Sequence, residues 1–283
     1  MDVPGYFAER IPLVDARLAE LLPPVDREPG ALHAAMRHLI FPGGKRLRPA
    51  LCFATAEALG RRPELVVPAA AAVELIHTYS LVHDDLPCMD DDAERRGRPT
   101  VHIAFGESTA VLAGDALQAL AFQALIDPAT PADASAACVR ELATAVGAAG
   151  LVGGQVDDLA FERAAGEPAD AFARRIESVH RRKSACLIAA AMACGARLAG
   201  ADGARVGQLR TAGLELGIAF QIADDWLDRD EDEGCSLVVA SGADAALARA
   251  EELLAAALAR LEDLADAAEP LRELMRFAVR RSI

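Results

Sequence analysis

Two dense aspartate clusters stand 140 residues apart in this 283-residue chain, and each directly follows an apolar stretch. The first reads DDLPCMDDD over Asp84–Asp92 after HTYSLVH, and the second reads DDWLD over Asp224–Asp228 after LELGIAFQIA. Carboxylates this dense at the end of a buried element repel one another and lose solvation. Their oxygens suit Mg²⁺, which keeps several waters and bridges carboxylates to phosphate oxygens. If a fold brings both clusters to one cavity, they can hold a diphosphate through metal ions.

Helices are predicted along the whole chain, because apolar residues recur at three-to-four spacing and no stretch shows sustained strand alternation. The core must be mostly Ala, Leu and Val, since hydrophobic residues make up 53% of the chain and aromatic residues only 4%. We therefore expect one all-α domain over residues 1–283. The predicted helices cover 10–22, 29–40, Pro49–Gly60, Pro68 to the first cluster, 108–126 with Ser108 as a candidate N-cap, 132–147, 151–162, 169–199, 203–228, 243–265 and 268–281.

Charge and cysteine usage exclude several classes of function. The net charge of −14 argues against nucleic-acid binding, which depends on Lys and Arg contacts to phosphate. The six cysteines form no CxxC pair, which predicts free thiols in a reducing compartment. We see no apolar N-terminal run typical of a signal peptide, and the longest apolar stretch is too short to span a bilayer. We therefore expect a cytoplasmic protein without a membrane span.

The spacing within each cluster favours a metal site over a solvated helix end. Asp224 and Asp228 are four residues apart, so one helical face carries both, with Asp225 beside it. In the first cluster Pro87 interrupts the helix, and a local loosening there would return Asp90 towards Asp84. Either cluster alone could be a solvated helix end, but both follow buried elements and both have cationic companions.

The cationic companions favour anion binding. GGKRLRP over residues 43–49 puts three cations in a glycine-containing loop before a helix, where backbone and helix dipole favour an anion. Arg95 and Arg96 follow the first cluster, and an arginine guanidinium can form two parallel hydrogen bonds to phosphate oxygens. His77 lies two helical turns before Asp84 on the same face. The alternatives are a solvated basic turn, arginines that only neutralise the aspartates, and a packed core histidine.

Five motifs in this order, GGKRLRP, HDDLPCMDDD, RRGRPT, GGQVDDL and FQIADDWLD, resemble the short-chain trans-polyprenyl (isoprenyl) diphosphate synthases. The resemblance covers about residues 10–281 and is to the bacterial farnesyl/geranylgeranyl diphosphate synthase type. It implies an all-α, single-domain bundle around a deep central cavity, usually a homodimer. It also implies that isopentenyl diphosphate condenses with an allylic diphosphate, dimethylallyl or geranyl.

The same resemblance implies roles for individual residues. Three Mg²⁺ ions bridging the allylic diphosphate would be held by Asp84, Asp85, Asp90, Asp224 and Asp228, with Asp225 as a supporting carboxylate. The allylic substrate would be contacted by Arg95, Lys183 and Gln221, with Ser184 beside the developing carbocation. Isopentenyl diphosphate would be held by Gly44, Lys45, Arg48, His77 and Arg96, with Phe220 as a wall of that site. The released diphosphate would accept the final proton.

Product length depends on how deep the cavity is. Tyr79 lies five residues before Asp84, about 7.5 Å along the helix axis at 1.5 Å per residue. In the family that it resembles, a bulky side chain there limits elongation. Tyr79 therefore predicts a C15 product, farnesyl diphosphate, with geranylgeranyl diphosphate synthase as the alternative.

One segment departs from the family pattern. After Asp228 the chain reads RDEDEGCSLVVASGADAALARAEEL, and no lysine follows Lys183. The loop is shortened, and Cys235 stands where the family commonly has a phosphate-facing lysine. A weakly active or regulatory partner subunit of a prenyl synthase is therefore an alternative. A class I terpene cyclase is a further alternative, but its second metal motif needs asparagine, which this chain lacks.

Overall fold

The chain folds into fourteen described α-helices, and the computed structural model describes residues 2–227 and 235–280. The helices are α1 Val3–Leu21, α2 Gly30–His38, α3 Leu47–Ala58, α4 Val67–Asp84, α5 Val101–Phe105, α6 Glu107–Ala124, α7 Ala132–Val146, α8 Leu151–Leu159, α9 Ala169–His180, α10 Cys186–Leu198, α11 Gly203–Leu227, α12 Leu237–Ser241, α13 Ala243–Ala259 and α14 Glu269–Arg280. Two 3-10 segments span Pro63–Val66 and Glu262–Ala268. The only strands in the described ranges, β1 Glu94–Arg95 and β2 Arg98–Pro99, pair antiparallel.

Helix α10 lies at the centre of the bundle and contacts α3, α4, α7 and α11. It approaches α11 closely because glycine stands at two contact points. A Cβ at Gly217 would come 2.4 Å from the Cα of Ala185, and one at Gly213 would come 2.7 Å from the Cα of Ala189. Small residues thus let α11, which carries the second aspartate cluster, pack backbone to backbone against Ala185 and α10.

Most predicted helices are found within a few residues of their expected limits. Helix α1 starts seven residues earlier than predicted because the Asp2 carboxylate accepts a hydrogen bond from Gly5 N at 3.2 Å and caps it. The N-cap predicted at Ser108 is wrong. Gly106, with φ of 87°, ends α5 and caps α6, so Ser108 lies inside the first turn.

The helix predicted over 169–199 is three consecutive segments. Helices α9 and α10 are joined by a π-helical turn, Arg181–Ala185, which the periodicity of the sequence did not predict. Such turns are rare in proteins and occur often at functional sites, because the extra residue per turn redirects side chains. Here the turn carries Lys183 and Ser184.

Two helical stretches, Pro63–Asp84 and Ala132–Leu159, are long and apolar enough to cross a membrane by composition alone. In the 18-residue apolar window of each stretch, 78% of the first is buried within the fold, as in a core helix, and 33% of the second is buried. All six cysteines are free, as predicted.

Candidate active site

A cavity of about 360 Å³ lies between α4, α8, α11 and the π-helical turn. Asp84, from the end of α4, and Asp224, from the last described turn of α11, both line it. The structure therefore brings one carboxylate from each aspartate cluster to the same space, although 140 residues separate them. Arg95, Lys183 and Gln221 line the same walls.

The first cluster turns back on itself after α4. Helix α4 ends at Asp84, and the backbone N–H of Asp90 donates to the Asp84 carbonyl at 2.9 Å, as the expected loosening near Pro87 requires. Asp90 then lines an adjoining cavity of about 370 Å³ together with Lys183. Asp85 is fully buried behind this wall and accepts a hydrogen bond from Arg95 Nε.

The second cluster divides its carboxylates between two surroundings. Asp224 faces the central cavity, whereas buried Asp225 accepts a hydrogen bond from Leu237 N at 2.8 Å and lies 3.5 Å from His180 Nε2. Burial lowers the pKa of His180 to about 4, so that contact is not an ion pair at neutral pH. The described contacts of Asp225 hold α12 in place. Asp228 lies outside the described residues.

Gln221 precedes Asp224 by about one helical turn and joins α11 to the π-helical turn. The Ser184 hydroxyl donates to its side-chain carbonyl at 2.7 Å. Both residues line the central cavity and the adjoining Asp90 cavity, as Lys183 does. These three predicted residues therefore stand at the passage between the two spaces.

A basic cavity of about 540 Å³ opens from the other side of the central one. It gathers every residue predicted for the second substrate, namely Gly44, Lys45, Arg48, His77, Arg96 and Phe220. Arg48, His77 and Phe220 also line the central cavity, so the two spaces share a wall. Gly44 makes room for a guanidinium, since a Cβ there would come 2.6 Å from Arg96 Nη2.

Arg46 differs from its neighbours Lys45 and Arg48, because its side chain is only 1% exposed. Its guanidinium pairs with Glu74 at 2.7 Å and Asp15 at 3.0 Å and donates to the Ile40 carbonyl at 2.6 Å. Its backbone φ of 52° places the side chain under the loop. One of the three cations in the GGKRLRP loop therefore holds the loop onto the core.

Replacing Arg46 with methionine should lower the free energy of unfolding by about 3–5 kcal/mol, because Glu74 would keep a buried charge without its partner. Urea denaturation followed by circular dichroism measures this loss. The double variant Arg46→Met/Glu74→Leu removes both charges and should recover most of the stability. A single variant as stable as the wild type would contradict the structural role.

Buried carboxylates give the central cavity unusual proton affinities. Burial raises the pKa of Asp84 from 3.8 to about 7, with the charge of Asp90 adding to the rise and Lys183 opposing it. Burial also raises the pKa of Asp85 and of Asp90. Burial alone would lower the pKa of Lys183, but Asp158, Asp84 and Asp90 raise it. Burial therefore disfavours the charged form of these aspartates, and the neighbouring cations do not fully offset this effect.

These carboxylates fit Mg²⁺ better than a metal that needs a complete protein cage. Among the residues that the structure describes, no group of three or more His, Cys, Asp or Glu side chains forms a preassembled metal site. Mg²⁺ uses one or two carboxylates, keeps waters and takes its other ligands from phosphate oxygens. Asp84, Asp90 and Asp224 supply such oxygens around adjoining spaces, and a divalent cation would offset the cost of burying their charge.

Added Mg²⁺ should raise the melting temperature more at pH 8 than at pH 6. The folded-state pKa of Asp84 is raised, so the advantage of its protonated form is complete below pH 4 and is lost as pH rises through about 7. Below pH 7 a cation must displace this proton, and above it the cation meets a carboxylate. Scanning fluorimetry tests this, with Asp84→Asn as the control that should flatten the difference. Equal Mg²⁺ effects at both pH values would contradict the assignment.

The pKa of His77 is lowered, whereas those of the aspartates are raised. Burial, together with the charges of Arg48 and Arg96, holds its pKa well below 6.5, so it is neutral at physiological pH. A neutral imidazole between guanidinium groups can donate one hydrogen bond to an anion without adding repulsion. The basic cavity is thus arranged for a multiply charged anion.

Arg95 is held by the aspartates beside it. Its Nε donates to Asp85, and Nη2 lies 2.5 Å from Asp92, while the side chain still lines the central cavity. The neutralising role that the sequence left open is therefore present in this state. Arg95 thus contacts the aspartates and lines the central cavity at the same time.

Asp158, Gln155 and Cys235 also line these cavities, although the sequence analysis gave no role to the first two. Asp158 pairs with Lys183 at 2.5 Å, and the buried amide nitrogen of Gln155 has no hydrogen-bond partner among the described residues. The GGQVDDL motif was the signal that could have identified both. Cys235 lies beside Lys183 and Asp158, which places the residue that replaces the expected lysine at the cavity wall.

Tyr79 is buried between α4 and α6, with its ring edge-on to His83 at 5.8 Å. The buried residues of α6 are nearly all small: Ala110, Ala113, Gly114, Ala121 and Ala124, with Leu117. Its neighbour Ser80 lines the central cavity. The Tyr79 ring packs towards Gln118 of α6, and among the described residues Ser80 rather than Tyr79 lines that cavity.

Comparison with known proteins agrees with this architecture. The sequence model of the polyprenyl synthetase family matches residues 29–266. The heterodimeric geranylgeranyl pyrophosphate synthase large subunit 1 of Arabidopsis thaliana is 43% identical over 232 residues, 80% of this chain and 61% of that protein. Geranylgeranyl pyrophosphate synthase 4 of the same plant is 41% identical over 80% of this chain and 60% of its own length. The match thus spans about three fifths of these relatives.

Solved structures match nearly the whole chain. An FPP/GFPP synthase from Zymomonas mobilis superposes with a TM-score of 0.90 at 35% identity, covering 98% of this chain and 99% of its own. A geranylgeranyl pyrophosphate synthetase from the archaeon Geoglobus acetivorans has a TM-score of 0.84 at 32% identity, covering 98% of both chains. The all-α fold around a central cavity is therefore the fold of these enzymes.

Proposed function

The chain belongs to the polyprenyl synthetase family, and we propose that it is a Mg²⁺-dependent prenyltransferase that makes a short-chain prenyl diphosphate. It would condense isopentenyl diphosphate with an allylic diphosphate, dimethylallyl or geranyl. The observation that carries this proposal is the cavity shared by Asp84 and Asp224, which adjoins the basic cavity around Lys45 and Arg96. Together they offer one site for a metal-bridged diphosphate and one for a second anion.

The acidic cavity would take the allylic substrate. Asp84, Asp90 and Asp224 would hold magnesium ions against its diphosphate, and the ions would stabilise the charge of the leaving group. Arg95 and Lys183 would contact the same oxygens. Ser184 and Gln221, tied to each other at 2.7 Å, would present a fixed dipole beside the developing carbocation.

The basic cavity would take isopentenyl diphosphate. Lys45, Arg48 and Arg96 would bind its diphosphate, with neutral His77 donating a hydrogen bond. Because Arg48, His77 and Phe220 line both cavities, the tail of this substrate would enter the central space next to the allylic carbon. A closed cleft excludes water, which would otherwise capture the cation before the double bond attacks.

For the product we propose farnesyl diphosphate, because Tyr79 stands five residues before Asp84 on α4 and its ring is buried against α6. The alternative product is geranylgeranyl diphosphate, which the names of the plant relatives favour. A weakly active or regulatory subunit remains the second alternative, supported by Cys235 in place of a lysine at the cavity wall.

We also propose that the protein is a cytoplasmic homodimer. Large apolar side chains are exposed on α5 and α6, namely Ile103, Val111 and Leu112, and a self-complementary interface would cover them. Sedimentation equilibrium should give twice the chain mass of 29.7 kDa.

Incubation of the purified protein with Mg²⁺, isopentenyl diphosphate and each allylic starter tests the reaction. Prenyl alcohols identified after phosphatase treatment should be acyclic and of C15 length. No coupled product from any starter would favour the regulatory subunit, and a cyclic hydrocarbon would favour a terpene cyclase. An EDTA control should abolish turnover.

A further inference from the structure

A second basic cavity of about 470 Å³ lies between α7, α10, α11 and the π-helical turn. It is outside the cleft, that is, the central cavity together with the adjoining Asp90 cavity and the first basic cavity. Five arginines and a single carboxylate line it: Arg140, Arg181, Arg182, Arg197, Arg210 and Glu141. The chain as a whole carries a net charge of −14. Positive charge is therefore concentrated here against the overall charge of the protein, and the cleft does not use these groups.

Acidic residues neutralise only part of this charge. The Glu141 carboxylate forms ion pairs with Arg210 at 2.6 Å and with Arg197 at 3.2 Å. Burial alone would raise the pKa of Glu141, but these two arginines lower it. Arg182 pairs with Asp157. Arg140 and Arg181 are exposed, and neither forms an ion pair within residues 2–227 and 235–280. The cavity thus keeps an excess of guanidinium groups.

The cavity wall also contains an unsatisfied donor. The buried Nε of Arg197 has no hydrogen-bond acceptor among the described residues, and a buried N–H without an acceptor costs free energy. The rest of the lining includes apolar Ala145, Ala189 and Leu214. The chemistry that satisfies both surfaces is a polyvalent oxyanion, alone or on an apolar tail.

We propose that this cavity is a second binding site for a phosphate- or diphosphate-bearing molecule, coupled to the cleft through the π-helical turn. Guanidinium groups from separate helices can form bidentate hydrogen bonds to several phosphate oxygens at once, which an isolated surface charge cannot do. The anion would come either as inorganic diphosphate or as the head group of a prenyl diphosphate.

The coupling follows from two adjacent ion pairs between α8 and the turn. Arg182 pairs with Asp157, and Lys183 pairs with Asp158, but the first pair borders this cavity and the second borders the cleft. The π-helical turn packs closely against α8, since a Cβ at Gly154 would come 2.3 Å from Lys183 N. An anion that draws Arg182 away from Asp157 would therefore displace Lys183. This second step rests on the proposed function; binding alone does not.

Calorimetric titration with inorganic diphosphate in EDTA tests the binding. We expect two sites in the wild type, one here and one at the basic cavity of the cleft. Arg140→Ala/Arg181→Ala should weaken the first about tenfold or more and leave the second, whereas Lys45→Ala should weaken only the second. Arg27→Ala/Arg61→Ala, which removes the same charge from exposed turns, should change neither.

Parallel titrations with inorganic phosphate and farnesyl diphosphate distinguish the sources. Tighter binding of farnesyl diphosphate that Leu214→Asp weakens would assign the prenyl head group, and equal binding of diphosphate alone would assign the inorganic anion. Wild-type affinity at both sites in Arg140→Ala/Arg181→Ala would overturn the proposal. To test the coupling, inhibition of condensation by diphosphate is measured. The inhibition should include a component that is non-competitive with respect to both substrates, and Arg140→Ala/Arg181→Ala should abolish that component. Purely competitive inhibition in the wild type would refute the coupling while leaving binding and proposed activity intact.

Discussion

Replacing Asp84 with asparagine should reduce kcat/KM for prenyl condensation by about 10³-fold, which corresponds to about 4 kcal/mol of lost transition-state stabilisation. Asparagine keeps the size of the side chain but removes the charge. Asp84 lines the cavity that Asp224 also reaches, and burial there raises its pKa despite the nearby charges of Lys183 and Arg95. Without the Asp84 carboxylate, magnesium would lose a ligand. The negative charge of the leaving diphosphate would then be less well neutralised. Steady-state kinetics over a Mg²⁺ series measure the loss.

Asp91→Asn is the matched control, because Asp91 belongs to the same cluster but is exposed. Its φ of 55° is a conformation that asparagine tolerates well, so the fold should not change. We expect activity within about threefold of the wild type, as for most surface substitutions. If Asp84→Asn kept more than a tenth of wild-type activity at saturating Mg²⁺, the metal-ligand role would be wrong.

The helices could be predicted from the sequence because apolar periodicity and Pro or Gly punctuation act locally. The limits of α3 and α7 are within a few residues of expectation for this reason. The short helices α5 and α12 were missed, since five residues carry too little periodicity. The π-helical turn at Arg181–Ala185 left no pattern because its extra residue is set by packing against α8 and α11.

The site was less accessible to local reasoning. Nothing in the spacing of the residues shows that Asp84 and Asp224 share a cavity, and only the resemblance to a known family brought them together before the structure did. Arg46 could not be separated from Lys45 and Arg48 by sequence, because its partners Asp15 and Glu74 lie 31 and 28 residues away. Charge type is visible in a sequence, whereas burial depends on the whole fold.

Tyr79→Ala should shift most of the product from C15 to C20 and longer prenyl diphosphates. The ring is 4% exposed and lies near Gln118 of α6, a helix whose buried residues are mostly small. Removing the ring leaves a space between α4 and α6, and we expect a growing chain to extend into it. Chromatography of the dephosphorylated products, with dimethylallyl diphosphate as the starter, measures the distribution.

Two further variants separate the blocking role from stability. Truncating a large buried aromatic side chain costs about 3–5 kcal/mol, so Tyr79→Ala must be assayed well below its melting temperature. Tyr79→Phe keeps the ring and should keep the wild-type product, whereas Tyr79→Leu should give an intermediate distribution with less loss of stability. If Tyr79→Ala and Tyr79→Leu, both folded and active, released only the wild-type product, the end of the pocket must be formed by other residues. The graded series predicts that chain length follows the volume left at position 79.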